Sequence, residues 1–111
     1  MSILLMIEDS SSLEVMKLYL EDVCNRKVIG EHGCKAAMPL LDQKPEILIL
    51  EYGIYTDDDC EEIIKAARKL YKPKIFIITG IYNTDYLQEK LKPDGIIPKP
   101  FELEQIDKII A

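Results

Sequence analysis

Five side chains able to handle a cation and an anionic oxygen stand at the ends of apolar runs in this sequence. Glu8 and Asp9 follow "SILLMI" (2 to 7), Glu51 follows "EILIL" (46 to 50), Thr79 closes "KIFIIT" (74 to 79), and Lys99 follows "GIIP" (95 to 98). Carboxylate oxygens are hard ligands suited to Mg²⁺, and a threonine hydroxyl and a lysine ammonium donate hydrogen bonds to phosphoryl oxygens. Each residue alone also has a plainer reading. Asp9 or Ser10 caps a helix whose dipole favours the acidic pair, Thr79 is a β-branched strand residue, and Lys99 is a solvated loop lysine. Glu51 resists such a reading, because a carboxylate ending a buried run is costly unless it is paired or reaches water.

The elements that position these residues follow from periodicity. The runs at 2 to 7, 46 to 50 and 74 to 79 are continuously apolar, as expected of strands covered on both faces in a parallel sheet. "KVIGE" (27 to 31) and "GIIP" supply two weaker strands. Helical spacing fills the gaps. Leu13, Met16, Leu20 and Val23 mark a helix over 11 to 24, and Ile63, Ala66, Ala67 and Leu70 mark one over 58 to 70. Segments 34 to 43, 84 to 91 and 102 to 110 complete the alternation, and Pro45, Pro73 and Pro93 stop helices before the third, fourth and fifth strands. Strands alternating with helices predict a doubly wound α/β domain over 1 to 111, with the five side chains along the C-terminal edge of the sheet, where such domains bind ligands.

Composition narrows the function. At 111 residues, 48% of them hydrophobic, the chain can bury one core of its own. A net charge of −6 without a basic run opposes direct binding to nucleic acid. The opening apolar run is too short for a membrane helix and lacks the flanks of a signal peptide, so a cytoplasmic location is expected. Cys24, Cys34 and Cys60 are odd in number and form no close pair in sequence, which suits reduced, buried thiols better than a disulfide framework or a zinc site. "DSSS" (9 to 12) lacks the glycines of a phosphate-wrapping loop and reads as a cap, His32 reads as a surface residue, and the acidic run from Asp57 to Glu62 reads as a helix N-terminus.

"ILLMIEDSSSLEVMKLYLED", "KPEILILEYGI", "IFIITG" and "IIPKPF", in this order and spacing, resemble the receiver domain of two-component response regulators over essentially the whole chain. The resemblance implies a flavodoxin-like five-stranded parallel sheet in the order 2-1-3-4-5, flanked by five helices. It implies Glu8 and Asp9 as metal-binding acids beside Glu51, Thr79 as the switch hydroxyl, Lys99 as the phosphate-contacting lysine, and a cis peptide between Lys99 and Pro100. Gly80 is small, as the family requires after the switch residue. Two positions depart from the family. Glu51 stands where receivers carry the aspartate phosphorylated by a histidine kinase, and the added methylene moves the carboxylate by about one bond, where a misplacement of about 1 Å can cost about a hundredfold in rate. Ile96 stands where receivers commonly carry a Tyr or Phe that turns inward on activation.

These departures favour a pseudo-receiver that works as a protein-interaction module rather than as an enzyme, with at most weak Mg²⁺ binding at Glu8, Asp9 and Glu51. Its expected partners are a histidine kinase, an output domain or protein, or a second copy in a homodimer. The expected contact surface is the fourth helix, fifth strand and fifth helix, where Tyr82, Tyr86 and Leu87 are candidates unless Leu87 packs inward. Two other readings stand beside it: a working switch phosphorylated on Glu51 or a neighbouring acid, and a flavodoxin-like enzyme acting on a small phosphorylated substrate. The third lacks a glycine-rich phosphate loop and a nucleophile beside a base.

Overall fold

A computed structural model of the chain describes residues 2–53, 57–80 and 84–110. Five parallel strands, β1 (Ser2–Met6), β2 (Lys27–Glu31), β3 (Ile47–Tyr52), β4 (Lys74–Thr79) and β5 (Gly95–Pro98), form one sheet in the order β2-β1-β3-β4-β5. The flavodoxin-like doubly wound order expected from the sequence is the one observed. Strand β3 runs two residues further than its apolar run suggested, through Glu51 to Tyr52, because both residues continue the ladder opposite Ile78 and Thr79 of β4.

Helices cover both faces. α1 (Ser10–Leu18) and α5 (Leu103–Ile110) pack on Ile3, Leu5, Ile47, Ile49, Phe76, Ile78 and Ile97. On the opposite face lie α2 (Cys34–Ala37), α3 (Asp57–Leu70) and α4 (Thr84–Leu91), which cover Leu4, Met6, Leu48, Leu50, Ile75 and Ile77. Ile47, Leu48, Ile49 and Leu50 are all 0% exposed, so the unbroken apolar run of β3 is what a strand covered on both sides requires.

Two helices depart from the spacing read off the sequence. α1 gives way at Tyr19–Val23 to a π-helical turn, closed by the Cys24 amide on the Tyr19 carbonyl at 3.2 Å. The extra residue in that turn rotates Val23 out of the apolar stripe, and it is 68% exposed instead of buried with Leu13, Met16 and Leu20. In α3 the buried face is centred on Cys60, Ile63, Ile64 and Ala67, which leaves Ala66 at its margin and Leu70 exposed at the helix end. α2 passes after one turn into a 3₁₀ segment, Met38–Gln43.

Helix ends are stopped by unlikely residues. Asn25, Lys44 and Lys92 adopt left-handed backbone angles, and Lys44 and Lys92 each stand directly before a proline. Arg68 of α3 fastens one of these ends, donating to the Leu91 and Lys92 carbonyls at 2.6 and 2.8 Å. No helix among the described residues is long and apolar enough to cross a membrane. The Lys99–Pro100 peptide is cis, as the resemblance implied.

Candidate functional site

The strand order reverses between β1 and β3, and the crevice beyond the C-terminal ends of these neighbours is where doubly wound sheets bind ligands. Glu8, just beyond β1, and Glu51, near the end of β3, meet there. The Glu8 amide donates to Oε1 of Glu51 at 3.2 Å. Lys99, carried just past β5, places its ammonium on Oε2 of the same carboxylate. The lysine is positioned by its own backbone, whose amide donates to the Thr79 carbonyl at 2.9 Å and prolongs the β4–β5 pairing. Glu51 is thus engaged at both oxygens, and its side chain keeps only 18% exposure.

Asp9 does something else. It is the N-cap of α1, and its Oδ2 accepts from the Ser12 amide at 2.9 Å and the Ser12 hydroxyl at 2.8 Å. The Ser12 hydroxyl, then the Ser12 amide, hold the Asp9 carboxyl below its ordinary range, with a smaller contribution from Lys99. The capping reading of "DSSS" is the one observed.

Thr79 also departs from the expected convergence. Glu51 follows Ile47 and Ile49 in alternation and shares their face of the sheet, the one covered by α1 and α5. Thr79 follows Ile75 and Ile77, on the other face, and is fully buried. Its hydroxyl donates to the Tyr52 carbonyl at 2.9 Å. The structure therefore joins Glu8, Glu51 and Lys99, sets Asp9 beside them as a cap, and holds Thr79 against the backbone of the residue after Glu51.

Gly33 lies against this edge with φ +152°, and a Cβ there would stand 3.0 Å from Oε1 of Glu8. Only glycine takes this conformation without strain and leaves the Glu8 carboxylate its space.

Features that sequence spacing did not reveal lie on the α3–α4 side. The Tyr52 hydroxyl donates to Oε2 of Glu61 at 3.3 Å, the same oxygen pairs with Lys90 at 3.2 Å, and Lys90 donates to the Tyr86 hydroxyl at 3.2 Å. Tyr86 and Glu61, with Tyr86 contributing most, hold the Lys90 ammonium above its ordinary range. This polar chain runs from β3 to the surface of α4, where Tyr86 is exposed. Leu87 is fully buried and cannot serve as a contact, because the face of α4 that carries it packs on the core. Tyr82 lies outside the described residues. Ile96 is partly buried against the same core, and His32 is exposed.

Neither a protein-family model nor a curated protein sequence matches the chain. Solved structures do resemble it. A DNA-binding response regulator of the LuxR family from Staphylococcus aureus superposes with a TM-score of 0.83 at 16% identity, over 98% of this chain and 94% of that one. A CheY-like response regulator receiver domain protein from Methanospirillum hungatei gives 0.82 at 18% identity, over 98% and 89%. A response regulator receiver domain protein from Clostridium thermocellum gives 0.81 at 18% identity, over 98% and 90%. The chain has the fold of response regulator receiver domains.

That fold implies a magnesium ion at the acidic edge. The residues present do not form a ready site for it, since the Asp9 carboxylate is committed to Ser12 and that of Glu51 to Lys99 and the Glu8 amide. Among the described residues, no three His, Cys, Asp or Glu side chains gather closely enough to hold an ion together.

Proposed function

We propose that the chain is an atypical receiver domain that regulates by binding a protein, with Glu51 at the phosphoacceptor position and outside the ordinary phosphorylation cycle. The observation that carries this reading is the engagement of Glu51 by Lys99 and the Glu8 amide. In-line phosphoryl transfer requires a free carboxylate oxygen facing phosphorus, with cations neutralising the phosphoryl oxygens. Here the lysine that would neutralise the phosphoryl group already neutralises the acceptor. The carboxylate brings about one negative charge to Lys99 where a phosphoryl group would bring nearly two, so it imitates the phosphorylated state in part.

The partner is a protein, a histidine kinase or an output domain or a second copy of the chain, docking on α4, β5 and α5. Exposed Tyr86 with Lys90 beside it, and a shallow 300 Å³ depression lined by Ile96, Pro98, Gln105 and Ile109, support that face. Incubation of the native protein with acetyl phosphate and Mg²⁺, followed by intact-mass measurement, tests the reading. The mass is expected to stay unchanged. A hydroxylamine-sensitive phosphoryl adduct that disappears in Glu51→Gln would overturn it in favour of a working switch.

A further inference from the structure

Cys34 opens α2 and Cys60 lies in the first turns of α3, 26 positions apart, yet their sulfurs stand 3.2 Å from each other in the core. Both are free thiols, Cys60 fully buried and Cys34 5% exposed. Cys60 Sγ also lies 3.2 Å from the backbone carbonyl of Glu51 and donates to it. Two nucleophilic sulfurs at this separation are already at the approach of about 3–3.5 Å from which bonded partners react.

We propose that Cys34 and Cys60 are a modification site: a dithiol that peroxide closes to an intramolecular disulfide, anchored to the backbone of Glu51. In the first step the Cys34 sulfur attacks one oxygen of hydrogen peroxide, the O–O bond breaks, and Cys34 becomes a sulfenic acid as water leaves. In the second, the Cys60 sulfur attacks the Cys34 sulfur, the S–O bond breaks, and a second water leaves with the Cys60 proton. The two cysteines lose two electrons and the peroxide gains them, so the step balances with peroxide as the only co-reactant.

Access controls the first step. The hydrogen bond that the Cys34 thiol donates to the Cys60 sulfur, together with burial, holds that thiol well above its ordinary range, and the protonated form is a poor nucleophile. Reaction therefore waits on opening of α2. That segment is a single α-helical turn entered through Gly33 without a side-chain cap, the kind of element that opens locally at low cost. Once Cys34 is oxidised and α2 recloses, its partner is in contact, and the second step follows without a further encounter. The consequence reaches the candidate site directly. A disulfide carries no S–H, so oxidation removes the bond to the Glu51 carbonyl while tying α2 to α3 beneath it. This holds whether or not Glu51 accepts a phosphoryl group.

The test uses Cys24→Ser, which removes the third, partly exposed thiol, in folded protein treated with stoichiometric hydrogen peroxide. The expected result is loss of two hydrogens (about 2 Da) in intact mass, a Cys34–Cys60 cross-linked peptide, and full reversal by dithiothreitol. Amide resonances of Glu51, Tyr52 and Lys99 shift, and hydrogen exchange over 34–43 slows severalfold. Oxygen adducts without a cross-link, a disulfide between molecules, or two free thiols still titrated in urea after the peroxide treatment would each overturn the proposal.

Discussion

The ammonium of Lys99 rests on Oε2 of Glu51, across 48 positions of sequence, while Oε1 takes the amide of Glu8. The Glu51 carboxylate is thereby tied to two flanking elements at once. The pair is open to water on the lysine side, with Lys99 43% exposed, so its weight in folding is small. Lys99→Met should change the free energy of unfolding by less than about 1 kcal/mol, and the difference should shrink in high salt. Urea titrations at low and high ionic strength measure it, and a loss of several kcal/mol that salt does not touch would contradict this geometry.

Magnesium should bind weakly or not at all to the native protein, because it must displace Lys99 from Glu51 and Ser12 from Asp9. Calorimetry provides the check. Tight binding that vanishes in Asp9→Ala would mean that the acids rearrange around the ion at little cost.

Asp9 links stability to pH. Its carboxyl is held below the ordinary range in the folded state, so its contribution is present in full above that range and is lost as pH falls through it toward the lower folded value. Asp9→Ala should lower the urea midpoint at about pH 7, and the gap to the native protein should narrow at about pH 3. Asp9→Ser, which restores a capping oxygen, should lose less at neutral pH and show a flatter pH dependence. Equal losses in both variants would remove the cap from the explanation.

Thr79 is tested by its shape and its hydroxyl separately. Thr79→Val keeps the volume of a fully buried side chain but withdraws the donor to the Tyr52 carbonyl, at a cost of about 1–3 kcal/mol. Thr79→Ser keeps the donor and should cost less. A valine variant as stable as the native protein would show that this hydrogen bond contributes nothing net.

Shortening Glu51 separates reaction from response. Glu51→Asp withdraws the carboxylate from Lys99 and should permit phosphorylation by acetyl phosphate in the presence of Mg²⁺. Amide shifts should then change around residues 9, 51, 79 and 99, with little propagation along α4 and β5, because Ile96 has no ring whose burial distinguishes two states. Adding Ile96→Tyr should extend the shifts to that surface. Strong changes across 84–97 in Glu51→Asp alone would make the missing aromatic irrelevant, and would point to the Tyr52, Glu61 and Lys90 chain as the route.

What the sequence determined by itself is what short-range periodicity can express. Continuous apolar runs imply strands covered on both faces, three- and four-residue spacing implies the helices between them, and Pro45, Pro73 and Pro93 mark where helices must have stopped. From these, the arrival of Glu8, Glu51, Thr79 and Lys99 at one edge follows, because strands of one parallel sheet all end on the same side. The meeting of particular atoms does not follow. Alternation tells which residues of one strand share a face, but the face of Glu51 relative to that of Thr79 depends on how β3 and β4 are aligned, and the aligned ladder puts the two side chains on opposite sides. Position along a helix is equally non-local. The π turn after α1 turns Val23 outward with no mark in its apolar spacing, and the approach of Cys34 to Cys60 depends on how α2 and α3 lie over the sheet. Tertiary structure alone decided these contacts, since each joins residues whose separation in space is set by strand order, register and helix rotation rather than by their neighbours in the chain.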